Sequence, residues 1–229
     1  MWTRLVAEFL GTALLVAAVV GSGIMGAALS TDNLVILLAN MVATVAALGV
    51  LIWLLGLNIG AHFNPAVTMI AVIRRELNPT GGLACISAQV LGGLSGVALA
   101  NVMFDLPAWH AASTVRAGTG IWLGEVVATA GLLLVVGALG RTNRTAMAPV
   151  VIAAWIGSAY FFTASTSFAN PAVTVGRAFT DTFTGIAPGS VLPFIVAQLI
   201  GAGLGALLTD ALFRHTSPST AAQARESAS

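Results

Sequence analysis

A chain of 229 residues with 58% hydrophobic and 7% charged side chains cannot coat a water-soluble surface, because soluble domains carry about 25% charged residues. Its formal net charge of +1, carried with no lysine at all, leaves no basic stripe for nucleic acid, and the single Cys85 excludes an internal disulfide framework and a multi-thiolate metal site. Cys85 lies in an apolar run and reads as a small buried hydrophobe.

In chain order, the first stretch, MWTRLVAEFLGTALLVAAVVGSGIMGAAL, looks like a secretory signal at first sight. Its apolar run is longer than a signal's and contains Glu8, so it reads as a retained transmembrane helix. Six segments approach the ~20 residues that span a bilayer core: Leu5–Leu29, Leu34–Leu57, Leu83–Phe104, Ile121–Leu139, Ala146–Ser165 and Val191–Phe213. Two shorter segments, Pro65–Arg74 and Pro171–Phe179, each open on a copy of NPAVT. At 1.5 Å per residue each reaches about 15 Å, half a membrane. Proline fits the first turn of a helix, where its missing N–H has no partner to lose, and asparagine is a good cap. Each copy therefore predicts a half-helix.

The chain also repeats itself. AEFLGT (Ala7–Thr12) corresponds to GEVVAT (Gly124–Thr129), NPAVT to NPAVT, and AQVLGGLSG (Ala88–Gly96) to AQLIGAGLG (Ala197–Gly205), all in the same order. Each half holds an odd number of spans, so the halves are expected to lie in opposite orientations, as an inverted repeat. With a cytoplasmic N-terminus, Arg4, Arg74, Arg75, Arg141, Arg144, Arg214 and Arg225 face inward and only Arg116 and Arg177 face outward. That distribution obeys the positive-inside rule. The fold class expected is an all-α membrane protein of six transmembrane helices and two re-entrant half-helices. Residues 1–213 form one domain, with repeats of about 5–104 and 119–213, and 214–229 form a disordered cytoplasmic tail rich in Ser, Ala and Thr.

Inversion brings the two half-helix N-termini together at the midplane. Non-helical backbone at that depth is tolerated only where it is buried in protein or lines a wet cavity. Asn64 and Asn170 would offer amide donors there, and the helix ends carry partial positive charge. Such a point repels cations and hydrogen-bonds neutral molecules. Glu8 and Glu125 cost about 2.5–3.5 kcal/mol each at bilayer depth. Their matched positions suit them to accept the orphan N–H groups of the two loops, in preference to a proton relay. Gly92, Gly96, Gly201 and Gly205 have the GxxxG spacing of close helix contact. Gln89 and Gln198 are expected to hydrogen-bond between helices or to backbone. No metal site, cofactor or enzymatic constellation is recognisable.

GAHFNPAVT and the second ANPA, set in two inverted three-span repeats, resemble the aquaporin or major intrinsic protein family over about Leu5 to Phe213. The resemblance implies an aquaporin-like fold and a homotetramer with a pore in each subunit. It also implies passive conduction of water, glycerol and related uncharged solutes. The motif residues would be Asn64, Pro65, Ala66, Asn170, Pro171 and Ala172, with His62 lining the inner side of the pore. Localisation would be the bacterial inner membrane, multi-pass, with both termini cytoplasmic. The expected partners are water, small neutral solutes and lipid, with no nucleic acid.

One departure stands out. Family members usually continue the second motif as NPAR, and the arginine forms the outer constriction with three other residues. By spacing, the four positions here are Thr44, Ser158, Ser167 and Val173. That set predicts a wide, uncharged ring with no aromatic, histidine or cation, and a weakened outer barrier to cations. Arg177 lies one turn beyond Val173 and is expected to pair with Asp181, in preference to facing the mouth. NPAVTVGRAFTDTFTGIAP resembles a bacterial branch associated with arsenic resistance, whose members pass arsenous acid and methylated arsenicals. The alternatives are a water-selective aquaporin, a coupled secondary transporter and a poorly conducting junctional protein; the transporter would need coupling carboxylates beyond Glu8 and Glu125.

Overall fold

The computed structural model describes residues 1–213, so Arg214, Arg225 and the expected tail at 214–229 lie outside the described residues. The described residues form an all-helical bundle in which six helices are long and apolar enough to cross a membrane. They are α1 (Trp2–Leu29), α2 (Asn33–Ile59), α4 (Pro79–Met103), α5 (Thr119–Arg141), α6 (Ala148–Phe162) and α8 (Pro188–Leu212). Between them sit the two half-helices, α3 (Pro65–Ile73) and α7 (Pro171–Arg177). At 1.5 Å per residue they are about 14 and 10 Å long.

Two of the boundaries that differ from the sequence-based expectation have plain local reasons. Helix α4 begins at Pro79 rather than Leu83, because Asn78 caps it by accepting the Gly81 N–H at 2.7 Å. This is a third Asn-Pro, here opening a full-length span. Helix α6 ends at Phe162, short of the expected Ser165, because Thr163 turns extended (φ −108°, ψ 140°) and the chain heads inward. Near its end α2 passes through a π-helical turn at Ile52–Gly56.

The most extensive packing pairs α1 with α4 and α5 with α8, the same pair in each repeat. Lipid offers no hydrophobic drive for helices to associate, so close backbone approach carries the packing. A side chain at Gly92 or Gly96 would strike the carbonyls of Phe9 and Ala13, and one at Gly201 or Gly205 those of Val126 and Ala130. Large apolar side chains such as Leu38, Trp53, Leu91, Leu123 and Leu207 stand exposed on the outside, as a lipid-facing surface requires. On the face carrying the N-terminus, Asp210 accepts from Arg74 at 3.1 Å and Arg141 at 2.6 Å. This ties the end of α3 to α5 and α8.

Candidate pore

The two Asn-Pro turns meet in the middle of the bundle. Asn64 caps α3 by accepting the Ala66 N–H at 2.9 Å, and Asn170 caps α7 by accepting from Ala172 at 3.0 Å and Val173 at 3.4 Å. Each side-chain amide also crosses to the other loop. Asn64 Nδ2 donates to the Ala169 carbonyl at 2.8 Å, and Asn170 Nδ2 donates to the Phe63 carbonyl at 2.7 Å. Those carbonyls point across because Phe63 (φ 55°) and Ala169 (φ 47°) adopt the left-handed conformation, which costs roughly 1–3 kcal/mol for a non-glycine residue. A primary amide carries two N–H donors. One on each asparagine is committed to the opposite loop, and the other is free beside the cavity that both residues line.

The carboxylates hold the same strained residues from behind. Glu8 accepts the N–H groups of His62 (3.0 Å) and Phe63 (2.8 Å) and the amide of Gln89 (2.8 Å). Glu125 accepts from Phe168 (2.8 Å), Ala169 (2.9 Å) and Gln198 (2.6 Å). Gln89 and Gln198 each donate onward to a half-helix threonine, Thr68 or Thr174, at 2.8 Å. The symmetry breaks at the counter-charge. Arg4 lies 3.8 Å from Glu8, whereas no described basic residue pairs with Glu125.

A cavity of about 450 Å³ runs along this seam, lined by both loops at Gly60–Asn64 and Ser167–Asn170. Among the described residues, no hydrogen bond reaches the carbonyl oxygens of Gly60, Ala61, His62, Ser167 or Phe168. These acceptors, with the asparagine amides, form a polar stripe. Apolar residues from the long helices, including Leu15, Val19, Leu132 and Val136, form the opposite wall. His62 lines the cavity on the N-terminal side. Its Nε2 meets Arg4 Nη2 at 3.1 Å and its Nδ1 meets Thr68 Oγ1 at 2.9 Å. Arginine only donates, so the edge of the ring that faces Arg4 acts as an acceptor. Cys85 is fully buried in the bundle.

Of the four positions singled out by spacing, Thr44, Ser167 and Val173 line the cavity and Ser158 does not. Ser158 is exposed on the outside and donates to the Trp155 carbonyl at 2.8 Å. The correction follows from helical phase. Ala148, Ile152, Ile156 and Tyr160 all line the cavity, one residue per turn along α6. Position 158 is two residues from that stripe, about 200° around the axis at 3.6 residues per turn. The residue that spacing missed is Tyr160, whose hydroxyl donates to Thr44 Oγ1 at 3.2 Å. The i, i+4 run of apolar residues ending in Tyr160 was the available signal.

The expected pairing of Arg177 with Asp181 is also corrected. Helix α7 ends at Arg177, so the i, i+4 geometry has no helix to act on. Asp181 turns outward and accepts the N–H and hydroxyl of Ser113, both at 2.8 Å. Those bonds hold its carboxyl below the ordinary value of 3.8. Arg177 is 4% exposed and lines the cavity. Its Nε donates to the Thr184 carbonyl, and its guanidinium lies 3.4 Å from the ring centroid of Phe168. The ring expected to hold no aromatic and no cation therefore has both Tyr160 and Arg177 beside it.

Comparison with known proteins agrees with this architecture. Residues 1–169 match the family model described as Major intrinsic protein, which ends just before Asn170. The chain is 48% identical over 225 residues to "Aquaglyceroporin AqpS" of Rhizobium meliloti (strain 1021), covering 95% of this chain and 96% of that protein. It is 31% identical over 223 residues to "Probable aquaporin TIP-type" of Medicago truncatula, covering 90% of this chain and 85% of the relative. Its fold is similar to the X-ray structure of the aquaglyceroporin from Plasmodium falciparum, with a TM-score of 0.68 at 20% identity over 93% of this chain and 97% of that one. By sequence match over most of its length, the chain belongs to the major intrinsic protein family.

Proposed function

We propose that the protein is a passive channel for water and small uncharged polyhydroxy solutes such as glycerol. The observation that carries this is the single cavity passing both asparagine amides, lined by the two loops with their free carbonyls and by apolar side chains of the long helices. A polyol is itself two-sided, hydroxyls along one edge and C–H groups along the other. Its hydroxyls can donate to the free loop carbonyls and accept from Asn64 and Asn170, which replaces the hydration it sheds on entry. The similarity to a relative named as an aquaglyceroporin supports the same solute class.

In this reading Asn64, Pro65, Ala66 and Asn170, Pro171, Ala172 form the central constriction, and His62 faces the inner half. Thr44, Ser167 and Val173 shape the outer half, with Tyr160 in the place given to Ser158 by spacing. Glu8 and Glu125 support the loops, so neither of these two carboxylates within the spans is left over for ion coupling, which disfavours a carrier. The channel domain occupies residues 1–213, in repeats of about 5–104 and 119–213. We place the termini in the cytoplasm, because Arg4, Arg74, Arg75, Arg141 and Arg144 share one face. A homotetramer in a bacterial inner membrane follows the family resemblance. Arsenous acid, a neutral trihydroxy compound, belongs to the same solute class.

The test is stopped-flow light scattering of proteoliposomes against water, glycerol, larger polyols, arsenous acid and methylated arsenicals. Glycerol entry well above that of protein-free vesicles, without saturation and with weak temperature dependence, is expected. Water passage with glycerol excluded would instead support the water-selective alternative, and saturable, steeply temperature-dependent flux would support a carrier.

A further inference from the structure

Position 173 holds valine, yet a guanidinium stands in the same wall. Arg177 lies one turn after Val173 on α7, hence on the same face. Helical side chains lean back toward the N-terminus of their helix, which for α7 is the centre of the bundle. The long side chain therefore returns toward Val173, and the guanidinium comes to rest over Phe168, three residues before the helix begins. Nε is fixed on the Thr184 carbonyl. Nη1 and Nη2 donate to no described residue, and Arg177 lines the cavity. No described carboxylate lies within ion-pair range. Ser167 lines the same stretch of cavity, with its hydroxyl enclosed beneath that surface and without a partner.

We propose that Arg177 is the cation of the outer constriction, and that together with the loop carbonyls of Ser167 and Phe168 it forms a subsite that hydrogen-bonds neutral polyols and turns back cations. The inference rests on the channel reading. A hydroxyl of the solute accepts from Nη1 or Nη2, while the free carbonyls of Ser167 and Phe168 take its protons. Valine at 173 leaves the ring uncrowded at that level, and the charge acts from the rim. Solute width and ion exclusion are thus assigned to two residues one turn apart. This reverses the expectation that a chain with NPA-Val has a weakened outer barrier.

The test uses the R177C variant in proteoliposomes, with cation leak read by an internal pH dye under an imposed potassium diffusion potential. Cys85 is fully buried and out of reach of thiol reagents. Leak through R177C should exceed wild type on the order of a hundredfold, the effect of one charge about 6 Å away at an effective dielectric near 20. Aminoethyl methanethiosulfonate, which restores a positive charge, should bring the leak back toward wild type. Methyl methanethiosulfonate, which is neutral, should leave it open. Both reagents act on one reconstituted protein, so misfolding cannot produce the difference. R177K should stay tight to cations while passing glycerol.

The inference is overturned if R177C passes glycerol and is as tight as wild type, if the neutral reagent closes the leak as well as the charged one, or if a folded R177K leaks. Wild type that passes neither water nor glycerol defeats the channel reading and this inference with it. Wild type that passes glycerol while R177C stays tight defeats this inference alone.

Discussion

Asn64 and Asn170 are cross-tied, each donating its side-chain amide to the residue that precedes the other: Asn64 to Ala169 at 2.8 Å and Asn170 to Phe63 at 2.7 Å. The two loops therefore cannot move independently, and the constriction between them has a fixed width. N170D tests what the amide contributes. Aspartate still caps α7 by accepting from Ala172, but it sets a carboxylate against the Phe63 carbonyl and places a negative charge in the cavity. Sodium uptake into proteoliposomes should rise by about tenfold or more, while glycerol flux falls. A variant that stays impermeable to sodium would show that these asparagines do not govern charge at the midplane.

The carboxylates differ in their neighbours, and that difference is measurable. Replacing Glu125 with alanine leaves the N–H groups of Phe168 and Ala169 and one of the two amide N–H groups of Gln198 without an acceptor, at about 1–3 kcal/mol for each buried unpaired group. Replacing Glu8 with alanine does the same to His62, Phe63 and Gln89 and also removes the carboxylate 3.8 Å from Arg4. Thermal unfolding in detergent should show E8A to be the less stable of the two. Equal midpoints would mean that the Arg4 contact contributes nothing.

The sequence carried most of this architecture because its signals are local. Apolar runs of bilayer length, Asn-Pro at both half-helices and one glutamate inside the first span of each repeat all follow from a few adjacent residues. What it did not carry depends on how side chains are phased and how far they reach. Ser158 was placed by counting from the motifs, and a two-residue slip turns a position to the far side of a helix. The pairing of Arg177 with Asp181 assumed that α7 continues one more turn, but it stops at Arg177. The side chain's return over Phe168 depends on a tertiary contact that no sequence spacing encodes.

Asp181 predicts a pH response confined to the surface. Its folded value is depressed by the bonds from Ser113, so its contribution is present above the ordinary value of 3.8 and is lost as pH falls through the lower folded value. Proteolysis of the 105–118 connection should accelerate below about pH 4. The D181N variant should be cut faster at neutral pH. If acid leaves cleavage unchanged, Asp181 is not what fastens this connection.

Tyr160 and Ser158 give the sharpest comparison between the ring read by counting and the ring in the structure. Tyr160 faces the cavity and donates to Thr44, while Ser158 faces outward and donates to its own helix. Y160A removes a ring beside Val173 and opens space toward α2, so five- and six-carbon polyols should enter about tenfold faster, equivalent to roughly 1.4 kcal/mol off the barrier. Y160F keeps the ring and loses one hydroxyl bond of about 0.5–1.5 kcal/mol; it should leave the size limit alone and free Thr44 to meet solute. S158A changes a side chain with no access to the cavity and should match wild type for every solute. Light-scattering permeabilities for glycerol, xylitol and sorbitol across the three variants check this. A shifted size limit in S158A with none in Y160A would place α6 with its other face toward the pore.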